Sequence, residues 1–217
     1  MRPYYDRDGI TIYNARCEDV LPSIDPATVG LLLTDPPYGI NLDTARPSHR
    51  RKIEHAGIEG DNKPFDPTPL LVYGRCVLWG ANNFAAGLPD GTNWLVWDKV
   101  LQNGLDVRIS EMELAWTNFE TKGRVFRHLW SGAYRASERK SFVHPSQKPA
   151  ALMRWIVERS TEPGDLVLDP YMGSGPIAQA CHELGRRYIG VELVEEYCAV
   201  AVSRLSQQTL DLTGGAA

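Results

Sequence analysis

The stretch "LVLDPYMGSGPIAQA", residues 166–180, leads from a short apolar run through a glycine-rich turn into a helical pattern. The apolar run has the length and composition of a buried strand. Gly173 and Gly175 allow close approach of the backbone to a ligand, and Pro176 suits the first turn of a helix. A strand, glycine turn and helix in this order indicate a ligand site at the carboxyl end of a parallel strand.

Other short apolar runs end in turn-forming residues and alternate with helical patterns. The predicted strands span residues 29–34, 76–79, 94–97, 112–116, 166–168 and 188–191. Helices are predicted to begin near Ala150, Pro176 and Tyr197, where apolar residues recur at helical spacing. This alternation predicts one α/β domain over residues 1–217, with a mostly parallel, twisted sheet and helices on both faces.

The composition is that of an ordinary globular domain, with 43% hydrophobic and 23% charged residues in a chain of 217. Neither a membrane-spanning run nor a signal-peptide pattern is present in the sequence, so we expect a cytoplasmic protein. Four cysteines are scattered without a CxxC pair. They are expected to be reduced core residues, and no metal site is predicted.

Basic residues are concentrated in two segments, although the formal net charge is −4. "RPSHRRK" at 46–52 has four bases and no acid, and residues 122–140 have six bases and one acid. Both lie in segments without periodicity, 40–66 and 118–147, which are predicted to be long loops. The charges fit a polyanion-binding face, and two solvated surface loops explain them equally well. The tail at 206–217 is expected to be disordered.

A second strand is also followed by Asp-Pro, in "LLLTDPPYG" at residues 31–39. Taken alone, this is ordinary turn chemistry. Because ligands of an open parallel sheet bind beyond the carboxyl ends of its strands, we expect Asp35 and Asp169 to border one site.

The ligand class follows partly from what the glycine turn lacks. No Gly-Lys-Ser/Thr is present, which excludes a phosphate-binding P-loop, and the glycine spacing is too short for GxGxxG. The next strand ends at Glu192, where a carboxylate would hold a ribose diol. A nucleoside-bearing cofactor without pyrophosphate fits best, which favours S-adenosylmethionine. Taken alone, Glu192 would be an ordinary surface acid, and its position at the strand end favours the functional interpretation. A nicotinamide-dependent dehydrogenase stays open as an alternative.

Four motifs together resemble the amino-directed (N6-adenine or N4-cytosine) DNA methyltransferases. In chain order they are "DPPY" at 35–38, "VLWGANNF" at 77–84, "HPSQKPAALMRWIVE" at 144–158 and "DPYMGSG" at 169–175. The likeness is to the group in which DPPY precedes FxGxG, and it extends from about Tyr13 to Leu205. It implies a Rossmann-like S-adenosylmethionine-dependent methyltransferase fold with permuted motif order. Tyr171 replaces the usual Phe of FxGxG, and Pro176 replaces a common Thr.

The resemblance also implies roles for individual residues. The Asp35 carboxylate and the Pro36 carbonyl would accept hydrogen bonds from the target amine, Pro37 would stiffen the loop, and Tyr38 would stack on a flipped base. The residues implied at the cofactor are Cys17, Lys148, Asp169, Tyr171, Gly173, Ser174, Gly175 and Glu192, with Lys148 facing the methionine carboxylate and Glu192 the ribose.

The implied partner is double-stranded DNA. Phosphate contacts are expected from Arg50, Arg51, Lys52, Arg124 and Arg127. The target-recognition segment is short, which suggests relaxed specificity or a homodimer. The leading prediction is N6-adenine methylation, with N4-cytosine methylation as the alternative and RNA as a weaker third substrate. A catalytically silent DNA-binding module is the alternative from a different class.

Overall fold

The computed structural model describes residues 1–40, 60–90, 93–100, 110–131, 134–137 and 147–213. Its centre is a nine-stranded sheet, and a two-stranded hairpin is separate from it. Within these ranges, no helix combines the length and apolarity needed to cross a membrane.

The strands of the large sheet are β1 (Tyr5–Arg7), β2 (Ile10–Asn14), β3 (Leu31–Thr34), β4 (Cys76–Trp79), β5 (Asn93–Asp98), β6 (Met112–Thr117), β7 (Arg124–Arg127), β10 (Leu166–Asp169) and β11 (Arg187–Glu192). The hairpin consists of β8 (Trp130–Ser131) and β9 (Tyr134–Arg135). Strands β3, β4 and β10 are buried along their whole length, as expected where both faces of a parallel sheet are covered. Strand β6 is antiparallel to both of its neighbours, and β1 is antiparallel to β2.

Three helices pack on one face of the sheet: α2 (Ala150–Ser160), α3 (Pro176–Glu183) and α4 (Glu195–Thr213). Their apolar sides bury a core that includes Leu33, Trp79 and Tyr188. The opposite face is covered by the short helix α1 (Cys17–Val20) and by single 3₁₀ turns. These turns span Leu21–Ser23, Pro26–Thr28, Thr68–Leu70, Ala81–Asn83 and Ala85–Gly87.

Two segments that were expected to be irregular contain regular secondary structure. The segment 118–147 was expected to be a loop, but β7 lies within it and pairs in parallel with β5. The sequence of β7 is too short and too polar to predict a strand. It forms one because the neighbouring β5 supplies its hydrogen-bonding partners. Helix α4 extends to Thr213, so the backbone is helical over most of the predicted tail. No glycine or proline interrupts that helix before Gly214.

The strands of the large sheet have the order β1-β2-β11-β10-β3-β4-β6-β5-β7, and this order determines where a ligand site is expected. From β3 the chain proceeds to the neighbouring β4, whereas from β10 it proceeds to β11 on the other side. The strand order therefore reverses between β3 and β10, which pair in parallel. A crevice at the carboxyl ends of strands flanking such a switch point is the usual ligand site of an open α/β sheet.

Candidate active site

Asp35 follows β3 directly and stands at the switch point, with its side chain 21% exposed. One carboxylate oxygen, Oδ1, accepts a short hydrogen bond from the Tyr38 hydroxyl. The other, Oδ2, accepts from the Lys148 ammonium at 2.5 Å. Lys148 Nζ also donates to the Tyr38 hydroxyl oxygen at 3.1 Å. The first and last residues of DPPY are thus held together by the lysine that precedes α2.

The loop after DPPY is fixed by Asp61, which is buried. Its Oδ1 accepts from the backbone N–H of Gly39 at 2.8 Å and of Ile40 at 3.3 Å. Gly39 has a φ of +75°, and a Cβ there would lie 2.3 Å from the Lys63 carbonyl oxygen. A residue with a side chain cannot take this position, so the glycine after DPPY is required by the loop geometry.

The Tyr38 ring packs directly on the backbone of Gly80, the glycine of "WGANNF". A Cβ at Gly80 would lie 1.9 Å from Tyr38 Cε1, and its φ is +68°. The turn is closed by Asn83, whose backbone N–H and side-chain amide both donate to the Gly80 carbonyl. The motif after β4 therefore shapes the seat of the Tyr38 ring.

Lys148 is also paired with a second carboxylate. Its Nζ lies 3.0 Å from Glu113 Oε2, and Lys99 Nζ lies 2.9 Å from Glu113 Oε1. Both lysine side chains are less than 9% exposed. Buried charges persist only when they are paired, and here they alternate in sign from Asp35 to Lys99.

This row of charges perturbs the acid–base behaviour of its members. Burial raises the pKa of Asp35, and the Lys148 ammonium partly offsets that rise. Burial also raises the pKa of Tyr38 well above its usual value, and the Asp35 carboxylate adds to the rise. Burial alone would raise the pKa of Glu113, but Lys148 and Lys99 outweigh it and lower the pKa to about 2. Glu113 is therefore ionised throughout the neutral range.

Asp169, the second Asp-Pro acid, is fully buried. Its Oδ1 accepts from Thr34 Oγ1 at 2.7 Å, and its Oδ2 accepts from the Tyr188 hydroxyl at 3.0 Å. Burial raises the pKa of Asp169 to about 7 despite these bonds. Because Thr34 is the last residue of β3, Asp169 joins the ends of the two central strands.

The glycine turn is held by Glu192. Its Oε2 accepts from the Gly173 N–H at 2.9 Å, and its Oε1 accepts from the Val194 N–H at 2.8 Å. Gly173 and Gly175 have φ values of +55° and +77°, and a Cβ at Gly175 would lie 2.6 Å from Ala201 Cβ. Glu192 thus supports the turn directly.

Tyr171 lies between two parts of the site. Its hydroxyl and the Cys17 thiol are hydrogen-bonding neighbours, and burial raises the pKa of both groups. The ring of Phe65 meets the Tyr171 ring edge-on, with centroids 5.8 Å apart. The tyrosine that replaces the usual phenylalanine therefore has a polar partner. All four cysteines are buried and free.

One pocket connects the two Asp-Pro loops. It is lined by Asp35, Gln147, Lys148, Met153, Asp169, Tyr171, Met172, Gly173, Ser174, Pro176 and Ile177. The structure therefore brings the predicted catalytic acid and most of the predicted cofactor residues to one cavity. Glu192 and Cys17 support the residues that line it.

The residues predicted to contact DNA phosphates fall into two groups. Arg124 and Arg127 lie on β7, where they pair with Glu120 at 3.8 Å and Asp98 at 3.6 Å. Arg50, Arg51 and Lys52 lie outside the described residues. Lys148 lines the pocket, and its ammonium is bound by Asp35 and Glu113. Its role at the methionine carboxylate stays a prediction.

Three site residues were missed by sequence reasoning. Glu113 had a usable signal, since it is an acid inside the otherwise apolar strand "MELAW". Gly80 had a weaker signal, which is the Trp-Gly-Ala sequence of its turn. Asp61 had none, because it lies 22 residues from its partner Gly39 and its segment shows no pattern.

The family model for DNA methylases of the N6/N4 type matches residues 91–203, more than half of the chain. A type II methyltransferase, M2.LlaDCHI of Lactococcus lactis subsp. cremoris, is 35% identical over 95% of this chain and 93% of its own length. The chain belongs to this DNA methylase family.

Solved structures agree with this assignment. The M1.HpyAVI–SAM complex is 25% identical, with a TM-score of 0.53, and the match covers 90% of this chain and 99% of that chain. The PvuII DNA methyltransferase, which is cytosine-N4-specific, is 18% identical, with a TM-score of 0.62, and covers 94% and 88%. The Rossmann-like methyltransferase fold expected from the motifs is confirmed.

Proposed function

We propose that this DNA methylase transfers a methyl group from S-adenosylmethionine to the exocyclic N6 amine of a flipped adenine in double-stranded DNA. The observation that carries the proposal is the pocket that Asp35 lines together with Gly173 and Ser174 of the glycine turn. It supports the proposal because an acceptor for an amine would lie beside a seat for a nucleoside cofactor. We also place the chain in the group whose DPPY precedes FxGxG.

The residues of the pocket fit S-adenosylmethionine. Gly173 and Ser174 bring backbone close to the cavity, and Glu192 offers further acceptor positions for a ribose diol. Tyr171, whose hydroxyl is a hydrogen-bonding neighbour of the Cys17 thiol, offers an aromatic wall suited to a purine. A related structure was solved as a complex with SAM, which supports the same cofactor here. When bound, the cofactor supplies an electrophilic methyl group on a sulfonium.

The protein must make a weak nucleophile attack. An aromatic amine is a poor nucleophile because its lone pair is delocalised into the ring. Hydrogen bonds accepted from its protons by Asp35 and by the Pro36 carbonyl would localise that pair on nitrogen. Because Asp61 and the Gly80 turn fix the loop, these acceptors are preorganised, which is a main source of catalytic stabilisation.

N4-cytosine methylation is the second candidate. The same two acceptors serve either amine, and the PvuII methyltransferase, which shares the fold, is cytosine-N4-specific. We favour adenine because this chain has the acid-first motif Asp35-Pro36-Pro37-Tyr38, whereas serine-first motifs tend towards cytosine. A homodimer and a cytoplasmic location remain predictions.

Digestion of methylated DNA to nucleosides, followed by mass spectrometry, tests the proposal. The purified protein, S-adenosylmethionine and unmethylated duplex DNA should yield N6-methyladenine. N4-methylcytosine without N6-methyladenine would replace adenine by cytosine as the target. Absence of both products on DNA containing all short sequence combinations would overturn the proposed function.

A further inference from the structure

Four buried or half-buried charges of alternating sign form a continuous row: Asp35, Lys148, Glu113 and Lys99. The N–O distances along it are 2.5 Å, 3.0 Å and 2.9 Å. The members come from the loop after β3, the segment before α2, strand β6 and the bend directly after β5. Four elements thus converge on one electrostatic unit whose charges sum to zero.

The contacts at Asp35 raise a difficulty for catalysis. Both carboxylate oxygens are already bonded, Oδ1 to the Tyr38 hydroxyl and Oδ2 to the Lys148 ammonium. A target amine that donates to Asp35 has to compete with at least one of these donors. If Lys148 left Asp35 and had no other partner, a cation whose side chain is 6% exposed would be stranded, at a high free-energy cost.

Glu113 offers Lys148 a second partner. Its Oε2 is already 3.0 Å from Lys148 Nζ, so the ammonium can shift from one carboxylate to the other without leaving the row. Lys99 holds the other oxygen of Glu113 and keeps this acid ionised. The row can therefore release Asp35 to the amine while the Lys148 ammonium stays paired.

We propose that Glu113, supported by Lys99, is a positioning residue that retains the Lys148 ammonium while Asp35 accepts the target amine. This inference rests on the proposed function, since it assumes that an amine is the group that enters at Asp35. It does not depend on whether that amine belongs to adenine or cytosine.

The variant Glu113→Gln tests this role, with Glu183→Gln as its matched control. The side chains of Glu113 and Glu183 are both 29% exposed and ion-paired, and Glu183 pairs with Arg154 at the far end of α3. We expect Glu113→Gln to lower kcat for methyl transfer by about 10- to 100-fold through misplacement of Lys148. The KM for S-adenosylmethionine should change less than about 3-fold, because Glu113 does not line the pocket. Glu183→Gln should leave both constants unchanged.

The pH profile separates this role from mere structural support. The charged and titratable groups that act on Asp35 are Tyr38, Lys148, Glu113 and, across the strand ends, Asp169. Loss of the Glu113 charge removes a repulsion, so the acid limb of the kcat profile should move to lower pH. Glu113→Asp keeps the charge on a shorter side chain. It should leave the acid limb in place and recover part of kcat.

Unchanged kcat and an unchanged acid limb in Glu113→Gln would overturn the inference, as would an equal loss in Glu183→Gln. If Glu113→Gln does not fold, Glu113→Asp decides the question, because an acid limb that moves with the charge intact contradicts it. Incorporation of labelled methyl groups into DNA serves as the assay. A wild-type protein that methylates only cytosine refutes the proposed base and leaves this test valid, whereas an inactive wild type refutes both.

Discussion

Asp35 follows a buried parallel strand and Asp169 ends one, each precedes a proline, and the two strands are neighbours in the sheet. Their surroundings differ. Asp169 is fully buried, and its oxygens accept from Thr34 and Tyr188 within the sheet. Asp35 is partly exposed at the pocket and is bound by the side chains of Tyr38 and Lys148.

The difference shows that one motif supports two roles. A carboxylate whose partners belong to strands ties the framework together, because breaking its bonds would separate those strands. A carboxylate whose partners are ends of longer side chains can exchange them for a substrate. The comparison predicts that Asp35 variants lose chemistry while Asp169 variants lose stability.

The largest expected effect is that of Asp35→Asn on methyl transfer. The amide oxygen is a weaker acceptor than a carboxylate oxygen and the NH2 group cannot accept from the target amine, so the rate should fall by about 10³-fold or more. The affinity for S-adenosylmethionine, measured by calorimetry, should stay within about 3-fold, since Asp35 is assigned to the amine. Asp25→Asn is the control, because Asp25 also precedes a proline but is exposed and caps a 3₁₀ turn. More than a tenth of wild-type activity in Asp35→Asn would show that methyl transfer does not depend on Asp35.

The second effect concerns the seat of Tyr38. Gly80→Ala would place a Cβ 1.9 Å from the Tyr38 ring, whereas Gly164→Ala has a similarly positive φ but meets no described atom within 4 Å. Both variants bear the backbone strain, and only Gly80→Ala displaces the ring. We expect kcat to fall about 10- to 100-fold in Gly80→Ala alone, for a displacement on the order of 1 Å. Equal kcat in the two variants would show that Tyr38 does not need this seat.

The third effect is the pH dependence of the stability that Asp169 contributes. The pKa of Asp169 is about 7 in the folded protein against an ordinary value of 3.8, so the folded state binds the proton more tightly. Its contribution to stability is fully present below pH 3.8 and is lost as the pH rises through about 7.

Asp169→Asn does not titrate, so the wild type should gain about 1–3 kcal/mol in unfolding free energy relative to this variant between about pH 8 and pH 5. Urea denaturation at both pH values measures the difference. A wild-type advantage that shrinks as the pH falls would contradict the assignment of a raised pKa.

The smallest effect is expected at the exposed bases of β7, away from both acids. Arg127 pairs with Asp98 in the strand register and so lies at the same sheet edge as the pocket, whereas Arg124 is opposite Leu95, three residues earlier. Arg127→Ala should raise the KM for DNA a few-fold and reduce the slope of affinity against salt by about 1. Arg124→Ala should have less effect. A larger loss in Arg124→Ala would place the DNA on another face.

The sequence predicted the elements that repeat a local pattern. Strand β4 and helix α2 have the expected positions, because the first is a continuous apolar run and the second has helical spacing. Strand β2 was missed because "ITIYN" is short and mixed, and it becomes a strand only beside β11. The DPPY and glycine-turn residues were recognised from motifs, whereas the Lys148–Glu113 contact joins residues 35 positions apart and leaves no local trace.

A crystal structure of the protein with duplex DNA and S-adenosylhomocysteine would show directly whether Asp35 binds the target amine. We predict a flipped base whose exocyclic amine lies within hydrogen-bond distance of an Asp35 carboxylate oxygen. In the same complex Lys148 should remain on Glu113, and Asp169 should keep its bonds to Thr34 and Tyr188. A flipped base whose amine lies away from Asp35, while Tyr38 and Lys148 are still bonded to that carboxylate, would contradict the role assigned to Asp35.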